Sequence, residues 1–129
     1  YYLGAKYIEF AIFNKEIIRP EILELSTLYL DEAEQYLERM SEDEKTDLRM
    51  RCELTRIKKD LVLNKPKKVL RRLKRIDIQN TSDSNKDLMA FLYFTAYRLD
   101  GDSDNMNQWK SEVSSVNLKK ADLIANINK

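Results

Sequence analysis

The stretch NKPKKVLRRLKRI, residues 64–76, places seven Lys or Arg among thirteen residues. Clustered cations of this kind bind phosphates, because each neutralised phosphate releases condensed counterions. Lys65, Lys67, Lys68, Arg71, Arg72, Lys74 and Arg75 are therefore candidates for a nucleic-acid grip. Val69, Leu70, Leu73 and Ile76 nevertheless recur beneath them at helical spacing, which describes an amphipathic helix docked on a core. No nearby loop supplies aromatic platforms on which bases could stack. The same positive field suits an acidic protein or peptide. A third reading leaves the charges as a solvated face of one helical hairpin set against an acidic neighbour, where exposed pairs contribute only ~0–1 kcal/mol each.

Other chemistries find few residues to carry them. Histidine, the commonest general base and metal ligand, is absent. One cysteine gives no zinc spacing, and two distant glycines give no phosphate loop. Cys52 lies among apolar helical positions and reads as a small buried hydrophobe. The stretch DGDSDN, residues 100–105, opens like a calcium loop, but the twelfth position from Asp100 is Ser111, not the bidentate Glu such a loop needs. A helix-capping turn is the better reading. The expectation is a protein without enzymatic activity, cofactor or metal.

Charge is polarised along the chain although the total is +1. From Glu16 to Asp47 there are eleven acidic residues against three basic, and from Arg49 to Arg75 twelve basic against two acidic. A hydrophobic share of 43% with 35% charged residues excludes a disordered chain. No apolar run approaches the ~20 residues of a membrane span. The 129 residues suit one domain, 1–129, and the missing initiator Met suggests a processed or truncated piece of a longer protein. A lone cysteine, and an opening without a basic stretch followed by an apolar one, favour a reducing interior over secretion, and the cytoplasm is the expected location.

Two glycines and two prolines leave little punctuation for hairpins, and apolar residues recur three and four apart throughout. The pattern predicts all-α structure. Helices are expected over roughly 1–17, from Pro20 to Met40, and from a Ser41/Glu44 capping box to Leu63. A fourth opens at Pro66, and a fifth runs from about Asn85 to Leu99. The fifth has no charge from Leu88 to Tyr97 and belongs in the middle of the packing. Gly101 suits a left-handed cap, DSDN starts a sixth helix carrying Met106, Trp109 and Val113, and a break near Asn117 precedes the last. Trp109 reads as a plug between helices, and the aromatic stripe Phe91, Tyr93, Phe94 and Tyr97 as core.

Ala33, Val69 and Met106 repeat at intervals of 36 and 37 residues, followed four on by Leu37, Leu73 and Lys110, and seven on by Met40, Ile76 and Val113. LGAKY with Leu3, Gly4 and Tyr7, YLDEAEQYL with Ala33 and Leu37, and AYRLDGDSDNM with Tyr97, Gly101 and Asp102 carry the pattern further. On these residues the chain resembles the tetratricopeptide repeat family, whose unit is a helical hairpin of about 34 residues. It departs from that family in lacking the first-helix Trp before Leu3, in the bulkier Val69 and Met106 at small positions, and in about seventeen extra residues between Tyr7 and Ala33. The resemblance implies three irregular antiparallel hairpins stacked as a right-handed array, with a compact helical bundle as the alternative.

It also implies a protein- or peptide-binding scaffold, or the sensing domain of a peptide-responsive regulator. The partner face would fall on first-helix residues Arg49, Arg56, Lys59, Tyr93 and Tyr97, with self-association as a further use of such surfaces. Arg and Tyr are types enriched where binding energy concentrates. The competing function is nucleic-acid binding through residues 65–75.

Overall fold

An uncharged helical run can persist only where other elements cover it on several sides. The run from Leu88 to Tyr97 meets that condition. The computed structural model describes residues 6, 8, 20–76 and 82–127, and the regular elements among them are all helical. They are α1 (Pro20–Tyr36), continued by a 3-10 turn at Leu37–Arg39, then α2 (Glu42–Val62), α3 (Pro66–Leu73), α4 (Asp83–Asp100), α5 (Ser103–Lys110) and α6 (Ser115–Ile127). Helix α4 packs against α2, α3, α5 and α6. Phe91, Leu92 and Ala96 on it are fully buried. Among the described residues no helix is long and apolar enough to cross a membrane.

The helix expected over residues 1–17 lies outside the described residues except for Lys6 and Ile8, both helical, with Ile8 fully buried. Leu3, Gly4 and Tyr7, the Glu44 side chain of the expected capping box and most of the polar loop before Ser82 are likewise outside them. The second helix does not reach Met40 as a regular α-helix but tightens at Leu37. The fourth stops at Leu73 rather than carrying Ile76, and the sixth stops at Lys110 before Val113.

Helix starts follow a local rule that the Glu-based capping box misses. The Ser82 hydroxyl accepts from the Asn85 N–H at 3.2 Å, the Asp102 carboxylate from Asn105 N–H at 3.2 Å, and the Ser114 hydroxyl from Asn117 N–H at 3.3 Å. Each satisfies a first-turn donor that would otherwise lack a partner, an interaction of about 1 kcal/mol. Helix α4 therefore begins at Asp83, not Asn85, and α6 begins before Asn117.

Pairwise contacts give the directions. Asn85 of α4 meets Asp47 and Arg51 of α2, while further along Phe91 lies under Lys58, so α2 and α4 run parallel. Asp87 meets Ser114 and Asn117, and Arg98 pairs with Asp122, so α6 runs parallel to α4. Arg56 reaches Asp31 and Glu34 while Lys59 reaches Thr27, which makes α1 antiparallel to α2. The short α3 and α5 turn back beside their long partners. Helix α3 packs on both α2 and α4, and α5 encloses a groove of about 380 Å³ together with α4 and α6.

One turn geometry occurs twice. Asn64 (φ 56) and Gly101 (φ 79) both adopt the left-handed conformation. Asn64 N–H donates to Leu61 O and Lys65 N–H to Asp60 O; Gly101 N–H donates to Arg98 O and Asp102 N–H to Tyr97 O. Both are the paired bonds of a Schellman cap, each followed by an eight-residue helix. Asn and Gly are the residues that tolerate this conformation best. A methyl group on Gly101 would meet nothing within 4 Å, so its penalty would be conformational alone. Gly101→Ala is expected to lower stability by about 1–2 kcal/mol in urea unfolding with an unchanged m-value, whereas Asn64→Gly should change it by less than about 0.5 kcal/mol.

Candidate functional site

The basic helix is held by its apolar side. Val69 and Leu73 are fully buried and Leu70 nearly so, which fixes the orientation of every cation around them. On the flank toward α2, Arg72 donates to Asp60 Oδ2 at 2.8 Å and Glu53 Oε1 at 2.9 Å, and Lys68 Nζ stands 3.6 Å from Asp60. The Asp60 side chain is only 3% exposed. A carboxylate so desolvated requires its partners, and here α3 supplies them. Lys65, Lys67, Arg71, Lys74 and Arg75 are exposed, with no carboxylate within ion-pair distance among the described residues. The seven-residue candidate thus divides: two of its cations hold α3 to α2, and five project outward. Its charge does not answer the acidic first segment. Arg56 does that.

The five first-helix candidates do not form one face. Arg56 donates to Asp31 Oδ1 at 2.6 Å and Glu34 Oε1 at 3.1 Å, with its side chain 18% exposed. Lys59 Nζ donates to Thr27 Oγ1 at 2.7 Å, and burial pushes its ammonium below the ordinary lysine value. Both are engaged by the α1–α2 contact, and Lys59 also lines a groove of about 410 Å³ with Leu23, Glu24 and Leu63. Arg49 is exposed and lines a groove of about 610 Å³ where Leu37, Met50 and Ile76 supply an apolar floor and Glu34 and Glu53 acidic walls. Tyr93 and Tyr97 stand half-exposed elsewhere, on α4.

The aromatic stripe also divides. Phe91 and Phe94 are core, as their periodicity implies. Tyr93 instead stacks on Trp109 of α5 with ring centroids 4.4 Å apart and planes 4° from parallel, and on Tyr97 at 6.1 Å and 18°. Partial burial, then the neighbouring Tyr97, raises the Tyr93 phenol above its ordinary value. The chain therefore carries a half-exposed aromatic column on α4 and α5, on helices rather than on the loops where the sequence offers none.

Three features escape sequence reasoning. Buried Asn85 donates to Asp47 O and Oδ1 at 3.1 and 3.0 Å and accepts from Arg51 Nε at 3.3 Å, clipping the start of α4 to α2. Asp87 accepts from Ser114 N–H and Oγ–H and from the Asn117 amide, seating α6. Arg72, read only as surface charge, bridges two carboxylates. The Asn-terminated caps gave a local signal for the first two, while none marked the third.

Cys52 is 1% exposed, and desolvation, followed by the nearby Glu34 charge, raises its thiol above the ordinary value. Among the described residues no group of three or more Cys, Asp or Glu is placed to hold a metal ion. Comparison with protein-family models, with curated proteins and with solved structures finds no match in any of the three.

Two adjacent arginines are expected to behave oppositely. Arg72→Ala removes the main partner of a buried carboxylate and should cost about 3 kcal/mol, whereas Arg71→Ala should stay within about 0.5 kcal/mol. Equal losses in chemical denaturation would contradict this division of the basic face. Cys52 should react with an aromatic disulfide reagent only at the rate of protein opening, and immediately in denaturant. Fast labelling of the native chain would place the thiol elsewhere.

Proposed function

We propose that this chain is a non-enzymatic interaction module, a short tetratricopeptide-like array of helical hairpins that holds a protein or peptide partner on its surface. The observation that carries this reading is the outward flank of α3. Lys67, Arg71, Lys74 and Arg75 are exposed without carboxylate partners among the described residues, on a helix whose other side is locked into the core. Charges on a rigid support lose little freedom when a partner docks, so more of their attraction survives as affinity. The repeated Schellman turns, with parallel long helices and short helices folded back beside them, favour a hairpin array over an irregular bundle. The eight-residue second helices are a departure from the usual unit.

Nucleic acid is the competing ligand, and the distribution of charge weighs against it. Arg72 and Lys68 are already neutralised by Asp60 and Glu53, and the turn after α4 carries Asp100, Asp102 and Asp104. A polyanion engages best where cations continue along its path.

The immobilised chain, presented with a displayed library of random dodecapeptides, should enrich sequences that bind with micromolar or better Kd. A labelled generic DNA duplex should bind negligibly at about 50 mM salt. Failure to enrich peptides, together with duplex binding that drops ~10³-fold between about 50 and 200 mM salt, would replace this reading with nucleic-acid recognition.

A further inference from the structure

Helices α3 and α5 both pack on α4, and the contacts of α4 locate the surface left between them. Asn85 and Phe91 mark the sides of α4 turned to α2, and Asp87 and Arg98 mark the side turned to α6. Lys86, Tyr93, Tyr97 and Asp100, spaced seven, four and three residues apart, share one remaining stripe, and none of them is buried. Trp109, stacked on Tyr93, fixes the α5 edge of that stripe. On α3 the flank bearing Lys68 and Arg72 is turned to α2. Lys67 and Lys74 lie on the other side of buried Leu70 and therefore border the same seam from the α3 edge.

The repeat places the equivalent seam one unit earlier, between α1 and α3. There Arg56 spans the gap to Asp31 and Glu34. Thirty-seven residues on, Tyr93 occupies the Arg56 position, while 36 or 37 residues on from Asp31 stand Lys67 and Lys68. No carboxylate bridges the second seam from α3, because α3 contributes cations where α1 contributes acids. The first seam is closed by its own ion pairs, and the second presents an aromatic floor beside unpaired charge.

Its ends differ in sign. Because α3 runs against α4, Lys74 and Arg75 come to the end marked by Lys86. Asp100, Asp102 and Asp104 gather at the opposite end, where hydrogen bonds from Asn105 hold the Asp102 carboxyl below its ordinary range. An eight-residue helix is ~12 Å long, the reach of roughly four extended residues.

We propose that the seam between α3 and α5 binds an extended segment of a partner protein, its carboxylates at the Lys74–Lys86 end and an aromatic or proline side chain on the Tyr93–Trp109 stack. This rests on the reading of the chain as a partner-binding module. A strand of nucleic acid carries negative charge along its whole length and would place phosphates against Asp100–Asp104. A peptide can carry carboxylates at one end and none at the other, which is the complement this seam requires. The site lies on the short-helix side of the array, apart from the Arg49 groove.

The test uses the peptides enriched from the dodecapeptide library on the full chain, together with a labelled fifteen-nucleotide oligo-dT. Enriched sequences should carry two or more Asp or Glu toward one end and an aromatic or Pro within about four residues. Fluorescence of the sole tryptophan should change on binding. The K74E/K86E variant, altered only at exposed positions, should lose about tenfold or more in affinity, and R49E less than about twofold. Circular dichroism of both variants should match the parent. Enriched peptides without acidic residues, or peptides sensitive to R49E and indifferent to K74E/K86E, would overturn the seam while leaving the binding-module reading intact. Absence of any enriched peptide would overturn both. Oligo-dT binding tighter than the peptides and abolished by K74E/K86E would assign the seam to nucleic acid.

Discussion

The architecture depends on the covering of α4. A helix with no charge across ten residues has no stable solvent face, so neighbours must be recruited on nearly every side. Helices α2 and α6 take two sides as parallel neighbours, α3 and α5 take others as antiparallel ones, and polar clips at Asn85 and Asp87 set the alignment. These clips act where hydrophobic contact cannot. Apolar burial is non-directional, whereas a buried amide with its donors and acceptor engaged has one acceptable position. The stripe of Lys86, Tyr93, Tyr97 and Asp100 is then left uncovered by the four neighbours, and its aromatic lining is the side chemistry of that gap.

The two Schellman turns extend the same constraint to the short helices. A chain leaving α2 or α4 reverses within two residues only through a left-handed position, and Asn64 and Gly101 occupy that position at an interval of 37 residues. The same interval carries Arg72 to Trp109 and Asp60 to Tyr97. The turn geometry recurs while the side chains around it change. A charge cluster lies between α2 and α3, and a ring stack between α4 and α5, so residue types give no sign that the two turns are alike.

Helix existence and the central place of α4 were legible because periodicity and absence of charge report on burial directly. Gly101, Pro66 and buried Cys52 were legible for similarly local reasons. The roles of Arg56, Lys59 and Arg72 were not. Periodicity assigns a residue to a face of its own helix, but which neighbour meets that face depends on register between segments more than ten residues apart. A cation facing water and a cation facing Asp60 have the same sequence signature. Helix ends slipped for a different reason: Ser82, Asp102 and Ser114 cap through Asn three residues on, and a search for Glu there finds no start.

The two seams show why an ion pair and an aromatic stack are not interchangeable fillings. Arg56 with Asp31 and Glu34 bridges its two helices directly, since donors on one meet acceptors on the other. A ring stack uses one face of each terminal ring and leaves the other available, and its quadrupole attracts cations and further rings. With α3 contributing Lys67 and Lys74 where α1 contributed acids, the second seam has neither internal neutralisation nor a saturated floor. On the proposed reading of the chain as a partner-binding module, this difference would confine recognition to the second gap while the first holds its helices together.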